Sequence, residues 1–330
     1  MKKAFLMLIS LAMCFLLLAI PALAGGVFDF YNYPVSRDGA GWSWNEAGST
    51  LTLNGLDFEF ICFTQESSDN MIRLPSDSTV ILKGANTFSS IFGGISAEGN
   101  LTIDGSGSLA INAVSAMNGD VTLNGGTLAI TPTVAFGVGF MGRNITINDG
   151  ALTINNAARG RARRSAITAS NSVAINGGSL TINSGNIGII AMGCVAINDG
   201  SVVINDADNA GIQAIGGITI NGGFLAIKNA AQVGIASLSS LTLNGGSGTI
   251  EAFGQYALAI VIGRDINVGD GVTVKGWDES ANNYTLQSQI IRVVLPPTFE
   301  LGISPRNTFA GAAQNVPLRN IHFNSAAVVP

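Results

Sequence analysis

The sequence predicts an all-β fold, a single-stranded parallel β-helix (solenoid) of about ten coils of ~23 residues each, with a cap at either end. Three observations predict it. A phrase recurs: ITINDGALTINN from Ile145 returns as VAINGGSLTINS from Val173, VAINDGSVVIND from Val195 and ITINGGFLAIKN from Ile218. Within each phrase the apolar residues alternate, as in Ile145, Ile147, Leu152 and Ile154, which is the period of a strand and not of a helix. Between the two apolar runs stands Asn-Gly, Asp-Gly or Gly-Gly, chemistry that suits a tight bend.

Taken in chain order, residues 1–24 read as a secretory signal peptide. Lys2 and Lys3 open it, an apolar run follows from Ala4 to Ile20, and Pro21 precedes Ala22-Leu23-Ala24. An uncleaved anchor is the alternative, but the run is short of the ~20 residues a span needs. Residues 25–50, with Trp42 and Trp44, read as an N-terminal cap in preference to a sugar-stacking platform. Residues 51–276 carry the solenoid. Phrase starts fall at Leu101, Val121, Ile145, Val173, Val195, Ile218, Leu241 and Ile266, with looser copies at Leu51 and Val80. A third short run, such as GIIAMG from Gly188 or GIQAIG from Gly211, makes three strands and three corners per coil. Coils stack about 4.8 Å apart. Asn54, Asn124, Asn148, Asn176, Asn198, Asn221 and Asn244 are therefore expected to form one corner ladder. Outward columns are expected through Thr102, Thr122, Thr146, Ala174, Ala196, Thr219 and Thr242, and through Ala110, Ala129, Thr153, Thr181, Val203, Ala226 and Thr249. Beyond Trp277 the pattern breaks and Pro296-Pro297 forbids a central strand, so 277–330 reads as a C-terminal cap or loose tail.

Composition narrows the function. Charged residues make up 11% and hydrophobic residues 47%, which excludes a disordered chain. Loss of Lys2 and Lys3 with the leader moves the formal charge from −5 to −7, so nucleic acid is not an expected partner. No second apolar run offers membrane insertion once the leader is cut, and the expected location is secreted or at the outer cell surface. Cys62 and Cys194 fall about five coils, roughly 24 Å, apart. A disulfide needs Cα atoms within ~7 Å, so two free thiols are expected.

The stretches GWSWNEAGSTLTLNGLDF, IRLPSDSTVILKGANTF and GGISAEGNLTIDGSGSLAIN resemble the opening of the carbohydrate-binding β-helix domains of anaerobic bacteria. The resemblance runs from Gly41 to about Gly276. It implies a right-handed, pectate-lyase-like but non-catalytic β-helix that binds polysaccharide and can hold calcium.

Candidate residues are few. Asp149 and Asp199 share a corner position with Gly177 between them, which suits turn residues better than a catalytic pair. His322, in the tail, is the sole histidine, which argues against a histidine base, a Ser-His-Asp triad and a zinc site. A polysaccharide lyase is thus the weaker class, behind a binding module and an adhesin or stalk that grips a protein or host surface. Asp206, Asp208 and Asn209 offer hard oxygens for Ca²⁺, though neighbouring corners add no carboxylate. Arg159, Arg161, Arg163 and Arg164 form the one basic run. It is either a solvated, protease-sensitive loop or a site for an acidic polysaccharide, where guanidinium meets carboxylate. Phe224, expected to point outward among Ser179, Ser201 and Ser247, is a candidate for sugar stacking.

Overall fold

A computed structural model describes residues 28–60, 70–90, 93–113, 115–132, 138–155, 165–183, 185–252, 258–269, 272–277, 283–287, 290–292 and 320–325. Among these residues every regular element is a strand. A representative coil comprises Val173–Ile175 on a first face, Ser179–Ile182 on a second and Ile187–Ala191 on a third. The next coil lays Val195–Ile197, Ser201–Ile204 and Ala210–Ala214 on these in parallel. The result is a parallel β-solenoid.

About seven turns have parallel neighbours on both sides in all three faces. That is fewer than the ten phrases, for a physical reason. Antiparallel strands lie against Thr50–Asn54, Ser247–Ala252 and Asp265–Val268, so the coils that begin at Leu51, Leu241 and Ile266 lack a parallel neighbour on one side in at least one face. Two long strands, Gly93–Gly105 and Ser115–Leu123, turn from the third face into the first without a break. Hydrogen bonding therefore merges these two faces into one 21-stranded sheet and leaves the second as a separate 12-stranded sheet.

Alternation places Val173, Ile175, Leu180, Ile182, Ile187 and Ile189 inside, all buried, and every coil repeats the arrangement. Each such side chain contributes roughly 1.5–3 kcal/mol by leaving water. The interior is therefore packed with apolar side chains, mostly aliphatic, with Phe88 and Phe140 among the coils and Phe30 and Trp44 at the N-terminal end. Polar residues enter at a few inward positions: Ser165 is in line with Ile187, and Ser237 with Ala191 and Ala214. Asn86 stands where other coils have Leu109 or Leu128, and it is buried. Its Oδ1 accepts from Leu56 N–H at 2.9 Å, while Nδ2 donates to the carbonyls of Lys83 at 3.0 Å and Ser108 at 2.9 Å. Those bonds remove the penalty of an unpaired buried amide and tie three coils together.

The expected corner ladder is present, with one correction. Asn148 donates to Asn124, Asn176 to Asn148, Asn198 to Asn176, Asn221 to Asn198 and Asn244 to Asn221, all at 2.7–2.8 Å. Asn54 is not a member. Leu51 pairs with Val80, which sets Asn54 beside Lys83, and Val80 pairs with Ile103, so the first two coils lie two residues out of alignment with the later phrases. A two-residue slip keeps every side chain on its own side of the sheet, whereas a slip of one would invert them. Two further ladders were not foreseen. Asn205 donates to Asn183 and Asn183 to Asn155 at the end of the second face. At the third corner, Asn100 donates to Asp77, Asn144 to Asp120 and Asn171 to Asn144.

Before the first coil, Arg37–Gly39 and Trp42–Asn45 form an antiparallel pair laid antiparallel on Thr50–Asn54. Beneath it Phe30 stacks on Trp44 at 4.7 Å, and Phe28 meets Trp42 and Phe58 edge-on at 5.1 and 5.2 Å. Trp44 is buried and donates its indole N–H to the Pro34 carbonyl at 2.6 Å. At the other end, Ile290–Arg292 runs antiparallel to Asp265–Val268. Asn320–Ser325 inserts antiparallel between Ser247–Ala252 and Val272–Trp277. Reversing strand direction in this way ends a parallel stack that would otherwise offer an open edge.

Candidate functional site

Because the interior is filled, chemistry is confined to the outer faces and corners. Both expected outward columns are in register. Thr102, Thr122, Thr146, Ala174, Ala196, Thr219 and Thr242 pair in sequence on the first face. Thr50 and Thr79 extend that column toward the N-terminus. Ala110, Ala129, Thr153, Thr181, Val203, Ala226 and Thr249 do the same on the second face. Each face is thus a shallow grid of hydroxyls and methyls.

The corner carboxylates have local duties. Asp104, Asp149 and Asp199 each accept the N–H of the following glycine at 2.6–2.8 Å, the role of a turn residue. Asp120 accepts from Arg143 Nη2 at 2.9 Å, from Asn144 N–H at 2.9 Å and from the Asn144 amide at 3.3 Å. Partial burial alone would raise its carboxyl pKa. The hydrogen bonds from Arg143 and Asn144 outweigh that and hold it below the usual carboxylate range. Arg143, fully exposed, is raised correspondingly by the same hydrogen bond.

Of the residues singled out from sequence, Phe224 points outward and is 41% exposed, flanked in register by Ser201 and Ser247. Asp206, Asp208 and Asn209 lie at the corner between the second and third faces. There Asp208 N–H donates to Gly185 and Asn209 N–H to Asn186. Neither Asp206 nor Asp208 lacks a partner. Among the described residues no group of three or more His, Cys, Asp and Glu side chains is gathered as for a metal ion. Arg159, Arg161, Arg163, Arg164 and Cys62 lie outside the described residues. Cys194 is a free, exposed thiol.

Two surface features escaped the sequence. Met192, Ile215 and Leu238, 45%, 43% and 36% exposed, stand in successive coils at the corner after the third face, making an apolar ridge. A cleft of about 310 Å³ lies at the N-terminal end of the first face, lined by Gly39, Gly41, Trp42, Ser43, Thr52, Asn54 and Lys83. The antiparallel pair forms one wall, with Trp42 opposite Leu53 and Ser43 opposite Thr52. The first two coils form the other, with Asn54 beside Lys83. Only tertiary structure could reveal it, since Lys83 is 41 residues from Trp42 in the chain.

A family model described as "Carbohydrate-binding domain-containing protein" matches residues 45–261. The chain belongs to this family. The matched span begins at the end of the N-terminal antiparallel pair and runs to the last strand of the third face, so it is the solenoid itself. Among solved structures, one match is a polysaccharide lyase-like protein from C. thermocellum, solved as a gadolinium derivative. It is 18% identical, with a TM-score of 0.38, over 71% of this chain and 92% of that one. No curated protein matches the chain significantly.

Proposed function

We propose that this member of the carbohydrate-binding family is a secreted, non-catalytic protein that binds polysaccharide along the outside of its solenoid. The observation that carries the reading is the coincidence of the family match with the coils. With the interior filled by apolar side chains, a glycan can reach only the hydroxyl-bearing faces and the features on them. The leader at 1–24 supports export. The employment of Asp104, Asp149 and Asp199 in turns, and of Asp120 with Arg143, supports a role without turnover, because these carboxylates are not poised as an acid and a base. The Arg159–Arg164 run favours an acidic polymer, and Asp206, Asp208 and Asn209 are the residues to supply oxygens if Ca²⁺ takes part. A second reading, an adhesin, draws support from the ridge of Met192, Ile215 and Leu238, since stacked exposed apolar side chains suit a protein surface.

Incubation of the purified protein with cellulose, chitin and pectin, with and without EGTA and with assay of released sugar, separates these readings. Retention without release is expected. Released sugar would make the protein a lyase or hydrolase, and loss of retention in EGTA would establish a calcium role. Failure to bind any polymer would hand the adhesin reading first place.

A further inference from the structure

Six Asn-Gly pairs occur in the chain, and five of them, at Asn54, Asn124, Asn176, Asn221 and Asn244, stand at the corner after the first face. Asparagine before glycine is open to attack on its own side chain, because no Cβ on the following residue shields that residue's nitrogen. The fold treats the five pairs unequally. Asn176 donates to Asn148 and accepts from Asn198, and Asn221 donates to Asn198 and accepts from Asn244. Asn124 and Asn244 each hold one such bond. Asn54 is exposed beside Lys83, and its side-chain amide has no hydrogen-bond partner among the described residues.

Room for a change in the backbone divides the pairs in the same way. A Cβ built on Gly177 falls 2.5 Å from the Asn148 carbonyl oxygen, and one on Gly222 falls 2.5 Å from that of Asn198. Gly125 meets the Gly105 carbonyl oxygen at 2.8 Å, and Gly245 meets that of Asn221 as closely. A Cβ on Gly55 meets nothing within 4 Å. The Gly55 N–H has no acceptor among the described residues. In the following coil a Cβ on Gly84 would lie 3.4 Å from Asn54 Oδ1, so the want of a side chain there leaves the amide uncovered.

We propose that Asn54-Gly55 is a site of spontaneous deamidation and isoaspartate formation, and that the asparagine ladder holds the other four corner pairs back from the same reaction. The Gly55 nitrogen gives up its proton to solvent base and adds to Asn54 Cγ. The Cγ–Nδ2 bond then breaks, the departing nitrogen takes up a proton and leaves as ammonia, and a succinimide ring remains. Water opens that ring at either carbonyl. One opening gives aspartate, and the other gives isoaspartate, in which the chain continues through Cγ. Nothing is oxidised or reduced, and water is the only reactant consumed. Within the ladder an amide must first release its neighbours and turn toward its own chain, and the packed corner resists the longer backbone of the product. Either product sets a carboxylate beside Lys83, the only charged residue lining the N-terminal cleft, and so offsets its charge. This chemistry goes beyond the polysaccharide-binding reading and does not depend on it.

Peptide mapping by mass spectrometry of the purified, folded protein, sampled over time at mildly alkaline pH, tests the assignment, and isoaspartyl methyltransferase labelling identifies the isomer. Each ladder bond that must break before the ring closes slows the reaction by about fivefold. Asn54 is thus expected to react first, Asn124 and Asn244 at least about fivefold more slowly, and Asn176 and Asn221 at least about thirtyfold more slowly. Asn198→Ala strips one bond from Asn176 and one from Asn221, and it should quicken both by about fivefold while leaving Asn54 unaltered. In guanidinium chloride the five pairs should react alike. Equal rates in the folded protein, or an Asn54 slower than the ladder residues, would overturn the site. Rates that stay apart in guanidinium chloride would trace the difference to flanking sequence, and an Asn176 and Asn221 indifferent to Asn198→Ala would remove the ladder as its cause. Either result overturns the proposal.

Discussion

Coil spacing should be measurable with a pair of alanines. Gly55 and Gly200 both sit at corners with left-handed backbones, φ 77° and 82°. Either residue, changed to alanine, incurs a similar left-handed penalty of about 1–2 kcal/mol. Their surroundings differ. A Cβ on Gly55 meets nothing within 4 Å, but one on Gly200 falls 2.6 Å from the Gly178 carbonyl oxygen and 2.7 Å from the Gly177 carbonyl carbon. That Gly178 oxygen accepts the Ser201 N–H at 3.0 Å, and both atoms belong to strand-edge backbone fixed by the ladder. To reach an ordinary C···O contact of about 3.3 Å, the coils must part by roughly 0.7 Å. The Ser201 bond would then stretch beyond useful length. Overpacking of this kind costs about 1–3 kcal/mol and the lost bond about 1 kcal/mol more. Gly200→Ala is thus expected to destabilise by about 3–6 kcal/mol and Gly55→Ala by about 1–2 kcal/mol. Urea unfolding followed by circular dichroism gives the difference, and hydrogen exchange at the Ser201 amide should quicken only in the first variant. If the two variants unfold at the same urea concentration, the distance between coils is not what the corner glycine protects.

Other expectations follow from the ladders and the surface. Asn198→Ala severs two amide bonds at an exposed corner and should cost about 1–2 kcal/mol, whereas Asn54→Ala, outside the ladder, should leave the melting temperature unchanged. Equal losses in thermal melts would mean that Asn54 is chained after all. Asp120, with its folded pKa depressed, contributes stability above the ordinary aspartate value of about 3.9 that fades as pH falls through the lower folded value. The melting temperatures of wild type and Asp120→Asn should therefore converge in acid, and a constant gap from pH 6 to about pH 2 would contradict this. Cys194 should react with a thiol reagent in the native protein without reductant, and silence there would point to a disulfide.

The period of two, the corner glycines and the recurring Asn made the solenoid, its core and both outward columns legible before any coordinates. The placement of Leu51, Val80 and Asn54 was not legible. Matching LTLNG with LTIDG by eye aligns Leu51 with Leu101, but the strands pair Leu51 with Val80 and Val80 with Ile103. Both alignments bury the same faces, so hydrophobic pattern cannot choose between them. The observed pairing makes the adjoining corners equal in length, from Leu82 to Ala85 and from Gly105 to Ser108, whereas pairing Val80 with Leu101 would leave one corner two residues longer than the other. The cleft was hidden for another reason. It lies where Thr50–Asn54 and Ser78–Lys83 meet the hairpin of residues 37–45, segments distant in the chain whose meeting no local pattern encodes.

Placing a strand from residues 320–325 between two others has a consequence for how the molecule is made. Each coil leans on the one before it, so a chain emerging from the ribosome can wind up as it is synthesised, one rung at a time. The second face cannot finish that way. Ser247–Ala252 stays an unpaired edge, and Val272–Trp277 has no route to it, until Asn320–Ser325 arrives and joins both. A nascent chain thus carries one sticky border until residues 320–325 are translated. A version ending at residue 318 should keep its coils yet associate edge to edge, visible as oligomers by size-exclusion chromatography with light scattering. Asn320–Ser325 acts as a late-arriving seal on the second face.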